Sequence, residues 1–157
     1  MAKETKKNVD YKEVEKFNLL AHKWWDKTSE FQPLHEINPL RMNFITDNVR
    51  LSGARVLDVG CGHGFFLYAA KQKGFDVHGI DIDEDAMRYG KEIMGLDIKR
   101  NPVDSFDNLP SNHYDIVTFW QVLEHLPNPG TCIREVMDLL KVGGIVAGSV
   151  PNIGGIG

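Results

Sequence analysis

The stretch R-V-L-D-V-G-C-G-H-G-F-F, residues 55–66, decides the fold. Its first five residues read as a short strand that is apolar apart from Arg55 and Asp58, and glycines follow at alternate positions 60, 62 and 64. The run F-F-L-Y-A-A then predicts the beginning of a helix. Glycine reaches positive φ cheaply and leaves room for a ligand beside the backbone. Because a helix N-terminus also offers N–H groups to an anion, we expect a strand, a glycine turn and a helix that bind a ligand together.

The spacing of the glycines separates two classes of ligand. A dinucleotide fingerprint has the spacing G-x-G-x-x-G, whereas here the third glycine comes one residue earlier. The run V-L-D-V-G-C-G-H-G resembles motif I of the class I S-adenosylmethionine-dependent methyltransferases. The resemblance implies an α/β, Rossmann-like methyltransferase fold and S-adenosyl-L-methionine as cofactor. It also implies that the cofactor-binding residues of this stretch are Asp58, Gly60, Cys61, Gly62 and Gly64. Among them, Asp58 would help to hold the methionine amine. A structural turn without a ligand is the alternative.

Length and composition set limits on the function. A chain of 157 residues predicts one domain, and a net charge of −4 argues against a nucleic-acid partner. No apolar run approaches about 18 residues, and the N-terminus has no apolar signal segment. The two cysteines, at 61 and 132, have neither a disulfide nor a metal spacing, so we expect a reducing, cytoplasmic environment.

The N-terminal part predicts helices in front of the sheet. Apolar residues recur at helical spacing from residue 14 to 25, and they either pack on the core or form a lid or a membrane contact. Residues 26–37 resemble a loop, and Asn38-Pro39 predicts the next helix start. Arg41 would then lie in the first helical turn, where it opposes the helix dipole, which indicates an anionic partner. We therefore divide the chain into a helical segment, 1–50, and a partial cofactor-binding domain, 51–157.

A closer resemblance covers residues 17–41. The blocks W-W-D, F-Q-P-L-H and I-N-P-L-R resemble the N-terminal region of the ubiquinone-biosynthesis O-methyltransferases, which methylate polyprenylated catechols. The resemblance implies that Arg41 reaches the carboxylate of the cofactor, a pairing that suits the guanidinium fork.

Further cofactor contacts are predicted at the ends of the later strands. Asp81 closes a strand at 77–80, and in this fold an acid there accepts hydrogen bonds from the ribose hydroxyls, with Ile82 packed on the adenine. A helix is predicted at 84–94 and a third strand at 98–103. By resemblance, Asp104 after that strand contacts the adenine and Trp120, at the end of the strand 114–120, contacts the cofactor.

The run Q-V-L-E-H after the fourth strand carries the predicted catalysis. A phenol has a pKa near 10, so its methylation needs a base, and we assign that role to His125 with Glu124 orienting it. A structural histidine is the alternative. The resemblance places a glutamate where this chain has Gln121, and a neutral amide cannot replace that charge. The resemblance links acids and a histidine at this point to a divalent metal, and this departure weakens the expectation of that metal and of a catechol as the substrate.

The chain ends before the fold that it resembles would be complete. An amphipathic helix is predicted at 132–140, a turn at K-V-G-G and a fifth strand at 145–150. The resemblance implies seven strands, so strands 6 and 7 are missing. Either the chain is a fragment, or a partner covers the open sheet edge, or the chain binds the cofactor without turnover.

The two resemblances together imply a methyltransferase that transfers a methyl group to an oxygen of a small or polyprenylated phenol in ubiquinone biosynthesis. We expect a cytoplasmic protein with a peripheral contact to the inner membrane. A sugar or carboxylic acid acceptor is the first alternative and a truncated binding module without turnover is the second. A nucleotide-linked dehydrogenase is disfavoured by the glycine spacing.

Overall fold

The structure is a computed structural model and describes residues 32–49, 53–152 and 154. Strands and helices alternate along this part of the chain. The helices are α1 (Gln32–Thr46), α2 (Phe65–Gln72), α3 (Glu84–Glu92) and α4 (Pro129–Leu139). The strands are β1 (Arg55–Val59), β2 (Asp76–Asp81), β3 (Asp97–Arg100), β4 (Tyr114–Trp120) and β5 (Leu140–Ser149), and a 3-10 turn covers Leu123–His125.

The five strands form one parallel sheet in the order β3-β2-β1-β4-β5. The central strands are apolar because helices cover parallel sheets on both faces. Four side chains of β1 and β4 are completely buried and form the middle of the core: Leu57, Val59, Val117 and Phe119. The predicted α/β class and the five strands are confirmed.

The order of the strands fixes where a ligand can bind. The chain proceeds from β1 outward to β2 and β3, and then returns to place β4 on the other side of β1. The connections after β1 and β4 therefore diverge and leave a crevice at the carboxyl ends of these two strands. Open α/β sheets bind their ligands in this crevice. The glycine turn, Asp81 and Gln121 all lie at the carboxyl ends of strands at this edge.

The two edge strands of the sheet differ in character. β3 has only four residues, and Asp97, Lys99 and Arg100 are exposed while Ile98 is buried. Short charged edges resist further pairing. β5 has ten residues, pairs with β4 on one side, and pairs with no other strand of the described part of the chain. Its open side is therefore where a larger sheet would continue.

Helix α1 corrects the prediction for residues 26–39. The predicted loop is helical from Gln32 onward, and the predicted start at Asn38-Pro39 is wrong because Pro39 lies inside the helix. Proline removes one backbone donor and disfavours helical geometry in the residue before it, but it does not forbid a helix. Arg41 is thus far from the first turn, and the argument that it opposes the helix dipole there is also wrong.

The chain around α4 and β5 differs from the prediction as well. Leu140 begins β5 instead of ending the helix, and K-V-G-G lies within the strand. The register between β4 and β5 shifts here: Tyr114 pairs with Leu140, whereas Ile116, two residues later, pairs with Ile145. Gly143 takes a positive φ of 82°, which allows the extra residues to bulge out of the sheet. The third strand is shorter than predicted and ends at Arg100.

Two compact units make up the chain, Met1–Pro39 and Leu40–Gly157, and the sheet belongs to the second. The predicted division at residue 50 stays a prediction. The helix and lid predicted for residues 14–25 lie outside the described residues. No helix in the described ranges is long and apolar enough to cross a membrane.

Candidate functional site

The glycine turn between β1 and α2 adopts a conformation that requires glycine. Gly60, Gly62 and Gly64 have φ values of 69°, 53° and 83°, in the left-handed region that favours glycine. The turn is anchored to β2, because the N–H groups of Gly60 and Cys61 donate to the carbonyl oxygen of Ile80 at 2.8 and 3.1 Å. These hydrogen bonds therefore hold the turn in place at the carboxyl edge of the sheet.

The three glycines are needed for different reasons. A Cβ atom on Gly60 would lie 2.7 Å from Cγ2 of Val122, and one on Gly64 would lie 2.5 Å from Cδ1 of Leu96. At these two positions the missing side chain makes room for the protein itself. A Cβ atom on Gly62 would have nothing within 4 Å. Gly62 is therefore the glycine of the turn beside which a ligand would have space.

Asp81, at the end of β2, holds the glycine turn directly. The carboxylate is buried, and its Oδ2 accepts a hydrogen bond of 2.6 Å from the N–H of Gly62. Its Oδ1 accepts from the N–H groups of Ile82 and Asp83 at 2.8 and 2.9 Å. A carboxylate has about four lone-pair sites, so Oδ2 keeps capacity for one more donor. Asp83, and not Asp81, caps helix α3 by accepting from the N–H groups of residues 85 and 86.

Asp58 lies in β1 beneath the turn and is 2% exposed. Its Oδ1 accepts a hydrogen bond of 2.7 Å from the hydroxyl of Thr118 on the neighbouring strand β4. Burial raises the pKa of Asp58 to about 7; the Thr118 hydrogen bond and the charge of Arg41 oppose this rise, and the charge of Asp81 adds to it. Asp58 is therefore a buried acid that can hold or release a proton near neutral pH, a property common at functional sites.

Arg41 lies beside the same region. Its guanidinium carbon is 4.7 Å from the centre of the Trp120 ring, a cation–π arrangement. Burial lowers the pKa of Arg41, and the negative charge of Asp58 opposes that change. Asp58 is thus a negative charge of the protein that acts on Arg41, and the expected contact of Arg41 with the carboxylate of the cofactor stays a prediction.

Trp120 ends β4 and packs between Arg41 and Phe66, whose ring centre lies 5.1 Å away. Its Nε1 atom is buried and has no hydrogen-bond partner among the described residues. A buried N–H group without a partner costs free energy, and such groups in native proteins usually have an explanation. A ligand acceptor in the crevice would supply the missing partner.

The structure gives fewer contacts for three other predicted cofactor-binding residues, Cys61, Ile82 and Asp104. The side chain of Cys61 lies against Gly79 of β2, and burial, followed by the charges of Asp58 and Asp81, raises the pKa of its thiol. Cys61 can therefore contribute its backbone but not a thiolate. Ile82 is 59% exposed, so an apolar face is open next to Asp81. Asp104 lies in an exposed turn after β3, and its adenine contact stays a prediction.

The predicted catalytic pair lies in the 3-10 turn after β4. Glu124 and His125 are both exposed, and the described residues contain no hydrogen bond or ion pair between them. Adjacent residues on a helical turn do not face each other, which explains why Glu124 does not orient His125 here. Gln121 has a positive φ of 60°, and its amide nitrogen donates to the hydroxyl of Ser149 at 3.2 Å. The catalytic role of His125 stays a prediction.

Three residues of the site were missed by the sequence analysis. Thr118 was the only polar residue in the middle of the apolar strand β4, a signal that could have marked it as the partner of Asp58. Phe66 packs against Trp120, and Val122 occupies the space where a side chain of Gly60 would lie. No local pattern identifies those two contacts, because they join segments far apart in the sequence.

Comparison with known proteins identifies the family. The model of a family described as a methyltransferase domain matches residues 24–154. The chain belongs to this methyltransferase family. Its curated relatives include the ubiquinone biosynthesis O-methyltransferases of Nitrosospira multiformis, with 43% identity over 92% of this chain and 63% of the relative, and of Stutzerimonas stutzeri, with 40% identity over 92% and 65%. The chain thus spans just under two thirds of the length of these relatives.

Solved structures show the same fold. An S-adenosylmethionine-dependent methyltransferase from Mesorhizobium loti matches with a TM-score of 0.61 at 24% identity. The match covers 69% of this chain and 52% of the Mesorhizobium chain. A structure from Methanococcus maripaludis described as a putative methyltransferase of this type has a TM-score of 0.66 at 18% identity, with 95% and 68% covered. The sheet is therefore the Rossmann-like sheet of class I methyltransferases.

The residues of this methyltransferase domain fit S-adenosylmethionine. Gly62 leaves the backbone open, helix α2 begins without a side-chain cap on its N–H groups, and Trp120 has a buried N–H group to donate. Asp81 has one lone pair left for a ribose hydroxyl. In the described part of the chain, no group of three or more His, Cys, Asp or Glu residues is arranged to hold a metal ion.

Proposed function

We propose that this chain is the cofactor-binding part of an S-adenosylmethionine-dependent O-methyltransferase that acts on a phenolic or catechol precursor of ubiquinone. The observation that carries the proposal is the 43% identity over 92% of the chain to a ubiquinone biosynthesis O-methyltransferase. The geometry supports it, because a glycine turn, a buried acid below it and an acid at the end of β2 lie at one edge of the sheet.

The chain's own residues would hold the cofactor in three places. The open backbone at Gly62 and the first turn of α2 would face its amino-acid end, with Asp58 beneath and Arg41 beside it. Asp81 would accept a hydrogen bond from the ribose, and the exposed Ile82 would cover one face of the adenine. The cofactor supplies a methyl group on a positively charged sulfur, which is already activated for transfer.

The remaining task of the protein is to align the acceptor and to remove its proton. Aligned reactants can gain roughly 7–11 kcal/mol over reactants in solution. His125 is exposed five residues beyond the carboxyl end of β4, so its ring is accessible from solvent at this edge of the sheet. In this proposal His125 would accept the proton of the phenol, and the bound cofactor would supply the methyl group, with its sulfur keeping the electron pair of the broken S–CH3 bond as the O–CH3 bond forms. Gln121 contributes a neutral amide at the same edge, and the proposed step uses no metal ion.

A substitution at Arg41 tests the cofactor assignment in this region. We expect Arg41→Lys to weaken binding of S-adenosylhomocysteine by about tenfold, because lysine lacks the planar fork that stacks on Trp120 and pairs with a carboxylate. Calorimetric titration measures the affinity. The matched control is Arg88→Lys on α3, where an exposed pair with Asp85 at 2.9 Å contributes little. Equal affinity in both variants would contradict a role for Arg41 at the cofactor.

Methyl transfer tests the proposed activity. The chain is incubated with S-adenosylmethionine carrying a labelled methyl group and with a simple catechol, a sugar or a carboxylic acid. We expect a labelled methyl ether of the catechol, unchanged by a chelator, and a loss of the product in His125→Ala. Product on the sugar or acid alone would favour the alternative acceptors. Cofactor binding without any product would favour a binding module that needs the rest of the enzyme.

The proposed substrates also suggest where the protein works. Polyprenylated phenols dissolve in the bilayer, so we place the protein in the cytoplasm with a peripheral contact to the inner membrane. The open side of β5 would be covered by the part of the fold that the longer relatives contain or by a partner. Sedimentation with and without vesicles that contain a polyprenylated phenol measures the membrane contact, and recovery in the supernatant under both conditions would contradict it.

A further inference from the structure

We propose that Gly90 of helix α3 is a positioning residue for the cofactor-binding turn, because its missing side chain lets the helix approach the backbone of His63. The inference rests on the proposed binding of S-adenosylmethionine at that turn. Gly90 is 26 residues beyond Gly64 and belongs to no glycine motif.

The contact between Gly90 and the turn is a contact with backbone. A Cβ atom on Gly90 would lie 2.8 Å from the carbonyl oxygen of His63 and 3.5 Å from its carbonyl carbon. It would lie closer still to Cδ1 of Ile98. A flexible side chain could move aside, but the carbonyl of His63 cannot move without the turn, because it lies between Gly62 and Gly64.

Helix α3 contacts His63 in a second way. The ring of Tyr89, the residue before Gly90, meets the imidazole of His63 edge to face, with ring centres 5.5 Å apart. The carbonyl oxygen of Gly90 also accepts a hydrogen bond of 3.1 Å from the N–H of Leu96. Leu96 in turn fills the space beside Gly64. Helix α3 and Leu96, four residues beyond its end, therefore contact the successive residues His63 and Gly64 of the turn.

Asp81 holds the turn on its other side. Its carboxylate binds the N–H of Gly62, while Gly90 faces the carbonyl of His63 one residue later. A shift of His63 away from α3 would therefore disturb the hydrogen bond of Gly62 and the exposed backbone next to it. Gly90 thus sets the position of the turn relative to the ligand, and it touches no ligand itself.

The substitution Gly90→Ala separates positioning from simple stability when it is paired with controls. Alanine is the better helix former, so without a clash the variant would be slightly more stable than the wild type. Gly130→Ala on α4 is the matched control, because its Cβ atom would meet only Nη1 of Arg134 at 3.9 Å. The double variant Gly90→Ala/Ile98→Val removes the Cδ1 atom of Ile98 and leaves the clash with His63 in place. Ile98→Val alone is its reference.

Each variant is titrated with S-adenosylhomocysteine, and its thermal midpoint is measured without ligand. We expect Gly90→Ala, and the double variant relative to Ile98→Val, to bind at least about tenfold more weakly, whereas Gly130→Ala binds like the wild type. If the double variant binds as tightly as Ile98→Val, the role of Gly90 is packing alone and the inference is overturned. If the wild type binds no S-adenosylhomocysteine, the proposed function itself fails and the inference falls with it.

Discussion

Asp81→Asn is expected to weaken binding of S-adenosylhomocysteine by about 100-fold. The amide keeps an oxygen that can accept from the N–H groups of Ile82 and Asp83, but its NH2 group faces the N–H of Gly62 instead of accepting from it. The hydrogen bond from the turn is then lost in the free and the bound protein alike, whereas the hydrogen bond from the ribose to a charged acceptor is lost only in the complex. Each such bond contributes about 1.5–3 kcal/mol, and about 1.4 kcal/mol corresponds to a tenfold change in affinity.

The control for this experiment lies two residues further along the chain. Asp83 caps helix α3 and is exposed, so Asp83→Asn retains a good N-cap residue and should leave the affinity unchanged. Calorimetric titration measures both variants. Because Asp81 also fixes the turn, we expect its variant to lose some stability even without ligand. Equal affinities in the Asp81 and Asp83 variants would contradict the ribose contact.

Asp58 is expected to make the stability of the protein depend strongly on pH. Its pKa is about 7 in the folded state and near 3.8 in the unfolded chain, so between these values the folded state binds more protons. The contribution of Asp58 to the free energy of unfolding therefore has its full value at and below pH 4, decreases as the pH rises toward 7, and is constant above that. One pKa unit corresponds to about 1.36 kcal/mol, so the decrease is on the order of 2–4 kcal/mol.

Asp58→Asn isolates this contribution from those of the other acids. Asparagine still accepts the hydrogen bond of Thr118 but does not ionise, so the variant should gain stability relative to the wild type as the pH rises from 4 to 8. Its affinity for S-adenosylmethionine at pH 8 should fall by roughly tenfold, because a charge beside the methionine amine is lost. Denaturant unfolding at a series of pH values, with titration at pH 8, measures both effects. A difference in stability that does not change with pH would contradict the raised pKa.

The sheet could be predicted from the sequence because its signals are local. The apolar run of β4 and the glycine turn after β1 each lie within a dozen residues, and the structure has β4 at the predicted residues 114–120. Helix α1 could not be predicted in the same way. Proline is a strong local signal for a helix start, yet α1 continues through Pro39.

The chemistry of the site could be predicted only in part. The residue types Asp58, Asp81 and Arg41 were identified, but what each one contacts depends on strands and helices that meet only in the folded protein. The pKa of Asp58 results from its burial and from Thr118, which is 60 residues away. Similarly, the sequence does not show that Gly60 and Gly64 also make room for Val122 and Leu96, because these contacts join distant segments.

The central claim is that the crevice at the carboxyl ends of β1 and β4 binds S-adenosylmethionine through the glycine turn and Asp81. Titration of the wild-type chain with S-adenosylhomocysteine, and separately with NAD, tests it most directly. The claim predicts saturable binding of one S-adenosylhomocysteine per chain and no binding of NAD. Binding of NAD, or no binding of either ligand by the folded chain, would contradict it.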